Sequence, residues 1–139
     1  MNRGEAVIRE VIELHQFFEG WLSGTLPNTE ENFQRVAQVL AETFTMVSPA
    51  GEELDQPPMI NYLRDGWGAR SSLKIWVDQC RILNETPELI VARYEEWQQV
   101  AGGEETVRVS TAVFRDAPDT PNGVTWLHVH ETWATSAKR

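Results

Sequence analysis

The chain has 139 residues and a formal net charge of −9, with an isoelectric point near 4.8. Its 12 basic residues are scattered, so no cationic patch of the kind that binds nucleic acid or an anionic membrane is present. The length suits one domain, 1–139, and a domain of this size buries about 70% of its unfolded surface without help from metal or disulfide.

Cys80 is the single cysteine and lies in an apolar strand pattern, which reads as an inert buried thiol. The first residues lack a basic-then-apolar leader layout, and no apolar run approaches the length of a membrane span. A cytoplasmic location is therefore the default expectation.

Residues 5–23 predict a helix: Val7, Val11, Leu14, Phe18 and Trp21 recur at three- and four-residue spacing until Gly24 and Pro27. Asn28, with Glu31 following, reads as the cap of a second helix whose apolar stripe is Phe33, Val36, Val39 and Leu40. The period then changes. Phe44–Val47 and Glu52–Leu54 read as two short strands around a Pro49-Ala50-Gly51 turn. Asp55 caps a third helix, with Pro57 and Pro58 in its first turn and Gly66 and Gly68 at its end. Four longer strands follow, at about 73–83, 88–100, 105–116 and 123–134, broken by turn residues at 84–87, 102–103 and 117–122. Residues 135–139 read as a loose tail.

This order, helix-helix-hairpin-helix and then a four-stranded meander, resembles the nuclear transport factor 2-like (cystatin-like, SnoaL-like) superfamily over almost the whole chain. The local likeness is sharpest at Ala92-Arg93-Tyr94-Glu95-Glu96-Trp97, at Arg108–Phe114, and at Trp126-Leu127-His128-Val129-His130-Glu131-Thr132-Trp133. The last run is similar to the closing strand of the calcium/calmodulin-dependent kinase II association domain and its small bacterial relatives. The resemblance implies an α+β fold in which three N-terminal helices pack on a strongly curved mixed or antiparallel sheet, forming a cone with an internal pocket. It does not imply one reaction, because the superfamily holds isomerases, dehydratases, binding proteins and oligomerisation modules. Two pocket arginines of the kinase association domain correspond here to Trp133 and Ala112, so its anion-binding character does not carry over through those positions.

Strand alternation sorts side chains into two faces. A two-residue turn at Gly102-Gly103 places Trp97 opposite Arg108. Extending the register places Arg108 opposite Glu131, Asp78 opposite Arg93 and Trp76 opposite Glu95. One face then carries Trp76, Asp78, Cys80, Arg93, Glu95, Trp97, Arg108, Ser110, Phe114, Leu127, Val129, Glu131 and Trp133. The other carries Ile75, Val77, Ile90, Tyr94, Val107, Val109, Val113, Trp126, His128 and His130. Both are too apolar to meet water, and the helices cover only one. The first is expected to line the cone and the second to meet another subunit, since a patch this apolar rarely stays in water. A one-residue slip in any hairpin would exchange the faces of a strand.

The leading site candidate is Arg108 with Glu131, in a pocket walled by Trp97, Trp133, Trp76 and, from the first helix, Phe17 or Trp21, with Arg93 and Glu95 nearby. A few polar groups converging in an apolar cavity are the usual form of a small-molecule site; the structural alternative is an ion pair joining two strands. Candidate bases are Glu131, Asp78 and His15, with a structural Asp78–Arg93 pair and a boundary histidine as the plainer readings. His128-x-His130 puts two imidazoles on one strand face but finds no third ligand, so no metal is expected. There is no nucleophile elbow, phosphate-cradling loop or dinucleotide fingerprint, and no cofactor is expected. Three functions follow: a homodimeric small-molecule-binding domain, a cofactor-free isomerase or dehydratase, or an oligomerisation module without ligand.

Overall fold

A computed structural model describes residues 2–134; the tail expected at 135–139 lies outside them. Helix α1 (Arg3–Ser23) opens with a capping box between Asn2 and Glu5, which the apolar spacing does not reveal. It buries Val7, Val11, Leu14 and Trp21 and stops at Gly24, whose φ is +81°. A Cβ at Gly24 would meet the Gly68 backbone at 3.2 Å, so glycine is needed for both conformation and close approach. Helix α2 (Glu30–Ala37) is capped by Thr29, which accepts from the Asn32 amide. Leu40 belongs to strand β1 (Leu40–Val47), followed by β2 (Glu53–Asp55) and α3 (Gln56–Asp65).

The four long strands are β3 (Lys74–Glu85), β4 (Ile90–Gln99), β5 (Thr106–Asp116) and β6 (Val124–Trp133). With β1 and β2 they form one sheet in the order β2-β1-β6-β5-β4-β3. The β1–β6 pair is parallel and the others are antiparallel. The three helices pack on this mixed sheet, which is curled but not closed, giving the expected α+β arrangement.

The register corrects the expected faces. Trp97 opposes Val107, and Glu96 opposes Arg108. The β4–β5 connection contains a turn closed by the Gly103 amide on the Val100 carbonyl, not a two-residue loop at Gly102-Gly103. That one-residue difference turns β4 over, and β3 turns with it because Trp76 pairs with Trp97. Tyr94 and Ile90 are therefore buried inside. Trp76, Trp97, Arg93, Glu95 and Asp78 lie on the outer face, where the Trp76 and Trp97 rings stack at 5.9 Å. Asp78 pairs with Glu95, and Arg93 pairs with Arg81 and Thr111, in place of the expected Asp78–Arg93 register. A bulge beyond Asp78, with Gln79 at φ +54°, returns Cys80 to the core side.

Arg108, Ser110 and Glu131 share the inner face as expected, but the register is shifted by two residues: Arg108 opposes Trp133, and Ser110 opposes Glu131. A bulge between Val113 and Phe114 shifts the lower end, so Trp126 pairs with Phe114 and is buried at the core instead of lying outside. Val107, Val109, Val113, His128 and His130 remain on the outer face. Among the described residues no helix is long and apolar enough to cross a membrane.

Candidate functional site

Between α1, α3, the β1–β2 hairpin and the inner face lies a cavity of about 380 Å³. Its walls are apolar: Leu14 and Phe18 from α1, Phe44 and Met46 from β1, Met59 from α3, and Trp126 from β6. Arg70, Glu96, Gln98, Arg108 and Glu131, with His15, supply polar groups on one side, and Ser48, Glu52 and Tyr62 supply others. Backbone contacts position Arg70: the Gly68 amide donates to the Trp21 carbonyl at 3.0 Å and the Arg70 amide to Leu22 at 2.9 Å. The loop after α3 is thereby pinned to the end of α1, and Arg70 Nη1 donates to Gln98 Oε1 at 2.8 Å.

His15 is buried on α1 with both ring nitrogens engaged. Nδ1 lies 2.7 Å from the Val11 carbonyl, and Nε2 lies 3.0 Å from Glu96 Oε1. A carbonyl only accepts, so Nδ1 donates; a carboxylate on the other side makes the ring an imidazolium. Burial works against that charge, but the Glu96 carboxylate outweighs it and raises the His15 pKa. Burial likewise opposes ionisation of Glu96, yet the His15 charge and hydrogen bond, with Arg108 and Gln98, hold its carboxyl down at about 2. Gln98 Nε2 completes the pair, donating to Glu96 Oε2 at 2.6 Å. Sequence reasoning put Glu95, not Glu96, inside; in a Tyr-Glu-Glu-Trp run only the correct turn tells the two glutamates apart.

Glu131 is in the opposite state. Arg108 Nη1 donates to its Oε1 at 3.2 Å and Ser110 Oγ to its Oε2 at 3.3 Å. Burial first, then the negative charge of Glu96, push its carboxyl up to about 7 against the pull of Arg108. Two carboxylates lining one cavity thus divide: Glu96 keeps its charge with His15, and Glu131 holds a proton into the neutral range. Arg108 lies 4.8 Å from the Trp133 ring centroid, which braces the guanidinium from the rim. Its buried Nε has no hydrogen-bond partner among the described residues. Tyr94 is buried with its ring 5.2 Å from that of His15, and burial raises its hydroxyl pKa well above the ordinary value.

The expected residues therefore separate into three groups. His15, Arg108 and Glu131 meet at the cavity, and Trp133, 54% exposed, braces Arg108 from outside. Trp21 and Phe17 stack on each other in the core, with Trp21 Nε1 donating to the Leu63 carbonyl at 2.8 Å; Phe18, the next residue on the helix surface, faces the cavity instead. Trp76, Asp78, Arg93, Glu95 and Trp97 stand on the outer face, away from it. His128 shares a 2.7 Å hydrogen bond with Thr45.

A second buried carboxylate cluster went unread in the sequence. Glu10, fully buried, accepts two hydrogen bonds from Arg35 at 2.8 and 3.2 Å, one from Asn122 at 3.0 Å and one from Trp126 Nε1 at 2.9 Å. It ties α1 to α2, the β5–β6 loop and β6. Glu10 falls beside an apolar stripe, and nothing in the local pattern names its distant partners.

The fold is shared with solved structures. A nuclear transport factor 2-like protein of unknown function from Pseudomonas aeruginosa superposes with a TM-score of 0.83 at 28% identity, covering 93% of this chain and 98% of that one. The calcium/calmodulin-dependent kinase II hub of S. rosetta superposes at 0.73 with 14% identity, covering 96% and 98%, a likeness of fold alone. These neighbours agree with the resemblance drawn from the strand motifs. Among curated proteins, sucrose-phosphatase 1 of Nicotiana tabacum is 28% identical over 131 residues, 92% of this chain and 31% of that protein. Probable sucrose-phosphatase 2 of Arabidopsis thaliana is 27% identical over 127 residues, 90% of this chain and 29% of that protein. The chain thus spans about a third of the length of the curated relatives it matches. The model of the sucrose-6-phosphate phosphohydrolase C-terminal family matches residues 7–135, nearly the whole chain, and the chain belongs to that family.

Proposed function

We propose that this chain is a small-molecule-binding domain whose ligand occupies the cavity between α1, α3 and the inner face. The observation that carries this reading is the cavity itself: apolar walls meeting a braced polar group of Arg108, Glu131, Glu96 and His15. Such a combination is the ordinary form of a ligand site. The relatives named sucrose-phosphatase are about three times longer, so we read this domain as the counterpart of their accessory portion and not of a hydrolytic centre. Native mass spectrometry of the purified protein tests the reading. A bound organic mass is expected in the wild type and absent in Met46→Trp, which fills the cavity from β1; a wild type that never carries or accepts a small molecule would overturn it.

A cofactor-free isomerase or dehydratase is the second reading, favoured by the carboxyl of Glu131 at about 7. His15 drops out as a base because both its nitrogens are occupied, leaving Glu131 as the proton carrier. Glu131→Gln separates the two: a binder keeps its ligand, whereas an enzyme loses turnover.

The domain is also proposed to pair with a second copy through the outer face. Val107, Val109 and Val113, with Trp76 and Trp97 alongside, make that face apolar beside His128 and His130. The likeness to kinase hub domains supports self-association. Sedimentation at tens of micromolar is expected to give a dimer that Val109→Asp dissociates. A monomeric wild type, or a dimer indifferent to Val109→Asp, would remove the interface from this face.

A further inference from the structure

We propose that Asn122-Gly123 is a spontaneous modification site, and that deamidation of Asn122 frees Glu10 from the β5–β6 loop and loosens the Trp126 wall of the cavity. The inference stands whatever the cavity binds.

The sequence supplies the chemistry. Of the asparagines in the chain, only Asn122 precedes a glycine. A glycine has no side chain to shield its amide nitrogen, so that nitrogen can attack Cγ of the preceding asparagine. The bond from Gly123 N to Cγ forms, the Cγ–Nδ2 bond breaks, and ammonia leaves with the proton that the Gly123 nitrogen gives up. Water then opens the cyclic imide at either carbonyl. One opening turns Asn122 into an aspartate; the other gives its isomer, with the main chain running through Cγ. One water is consumed, one ammonia is released, and nothing is oxidised or reduced.

The fold holds both reacting groups. Asn122 Nδ2 donates to Glu10 Oε1 at 3.0 Å and to Glu13 Oε1 at 2.9 Å, so both its hydrogens are spent on carboxylates. A nitrogen held that way is a poor leaving group, because departure as ammonia requires it to gain a proton. The Gly123 amide donates to the Thr120 carbonyl at 3.1 Å, so the attacking nitrogen is engaged too. Neither restraint is deep. Asn122 and Gly123 are half-buried, the Glu13 side chain is 42% exposed, and no atom lies within 4 Å of where a Gly123 side chain would begin. Local opening of such a turn costs less than global unfolding, and it releases both groups to water.

Reclosure is what fails afterwards. The carboxamide offers two N–H donors; the carboxylate that replaces it offers none and adds a negative charge. That charge would face Glu10 and Glu13, and Arg35 already serves both, at 2.8 and 3.7 Å. Like charges gathered in one site repel. The other oxygen of Glu10 holds the Trp126 indole N–H at 2.9 Å. Trp126 lines the cavity and packs on Phe114 with ring centroids 4.5 Å apart. The path from the turn to the cavity wall thus runs through two hydrogen bonds, Asn122 to Glu10 and Trp126 to Glu10.

The test incubates the full chain at mildly alkaline pH, folded and in urea, and follows each asparagine by peptide mapping with mass spectrometry. In the folded protein conversion is expected at Asn122 alone, at least roughly tenfold slower than in urea, and faster in Glu13→Ala than in the wild type. Folded-state conversion as fast as in urea, or a Glu13→Ala rate equal to wild type, would overturn the restraint. Conversion first at another asparagine, or none at Asn122 in the folded protein, would overturn the site. The consequence is read on Asn122→Asp with Asn122→Ala as control, since both lose the donors and only the first adds charge. Asn122→Asp should lower the folding equilibrium constant roughly tenfold further than Asn122→Ala, and hydrogen exchange in the β6 segment around Trp126 should rise further as well. Wild-type protein deamidated while folded and separated by anion exchange gives the same two readings without a variant that must fold from the start. Equal stability of the two variants would overturn the repulsion. A stability loss with β6 exchange unchanged would overturn the coupling to the cavity wall.

Discussion

Glu10 and Glu131 are both buried carboxylates beside an arginine, and Trp126 links their surroundings, but they are built for different ends. Glu10 receives four hydrogen bonds from three residues and does not line the cavity of the candidate site. Glu131 receives two, lines a cavity, and shares it with a second carboxylate at Glu96. The difference shows what separates a structural carboxylate from a functional one. Donors that saturate every lone pair stabilise the charge and hold elements together. Too few donors, with a like charge nearby, leave a proton available at neutral pH.

The largest expected effect tests the structural side. Glu10→Ala leaves Arg35, Asn122 and the Trp126 indole N–H without their common acceptor. Breaking a buried charged pair in this way costs about 3–5 kcal/mol. Urea denaturation at fixed protein concentration measures it, and a loss below about 1 kcal/mol would mean that water replaces the carboxylate at little cost.

Glu131→Gln should act with the opposite sign. The Glu131 carboxyl rises from 4.5 unfolded to about 7 folded. Between those values the folded state binds more protons than the unfolded one, so wild-type stability falls as pH rises from about 4.5 to 7. Gln removes that fall. The variant should therefore gain on the wild type between pH 4.5 and pH 8, by at most about 3.4 kcal/mol. A difference that stays flat across this range would show that Glu131 is ionised throughout, like a structural partner of Arg108.

His15→Gln is expected to cost about 2 kcal/mol, as for a hydrogen bond to a charged group. The folded His15 pKa is raised above 6.5. Its contribution is therefore fully present below about pH 6.5 and is lost as pH rises through the folded value. The gap between wild type and variant should be widest near pH 6 and narrow in alkaline solution. A gap that widens with pH would mean that the ring is neutral in the folded protein.

The element order and the placing of Arg108 and Glu131 on one face were legible because they depend on periodicity and on parity within one hairpin; their exact register was not, since Arg108 opposes Trp133. The rest depended on single residues in turns. One extra residue in the connection after Val100 moved Trp97 and Glu95 out and brought Tyr94 and Glu96 in. A bulge at Phe114 moved Trp126 from the outer face to the core, where its indole meets Glu10. A bulge costs a strand little but reverses every side chain beyond it, and no composition rule marks it. His15 was singled out, but its partner was not, because Glu96 lies 81 residues away on a strand whose face was reversed.

Asp78 supplies the smallest effect and the sharpest control. The turn-based register put it inside, as a candidate base; the observed register puts it opposite Glu95 on the outer face, exposed to water, with its carboxylate accepting from the Gln79 amide at 2.8 Å. Asp78 is exposed, so Asp78→Asn exchanges one exposed acceptor for another and leaves the hydrogen bond from the Gln79 amide possible. Stability should change by no more than about 0.5 kcal/mol. Binding of a ligand in the cavity should match the wild type, because the sheet lies between Asp78 and Glu131. A change in ligand binding with Asp78→Asn would mean that the outer face reaches the site, and the division between Glu10, Glu131 and Asp78 as buried-saturated, buried-poised and exposed carboxylates would have to be redrawn.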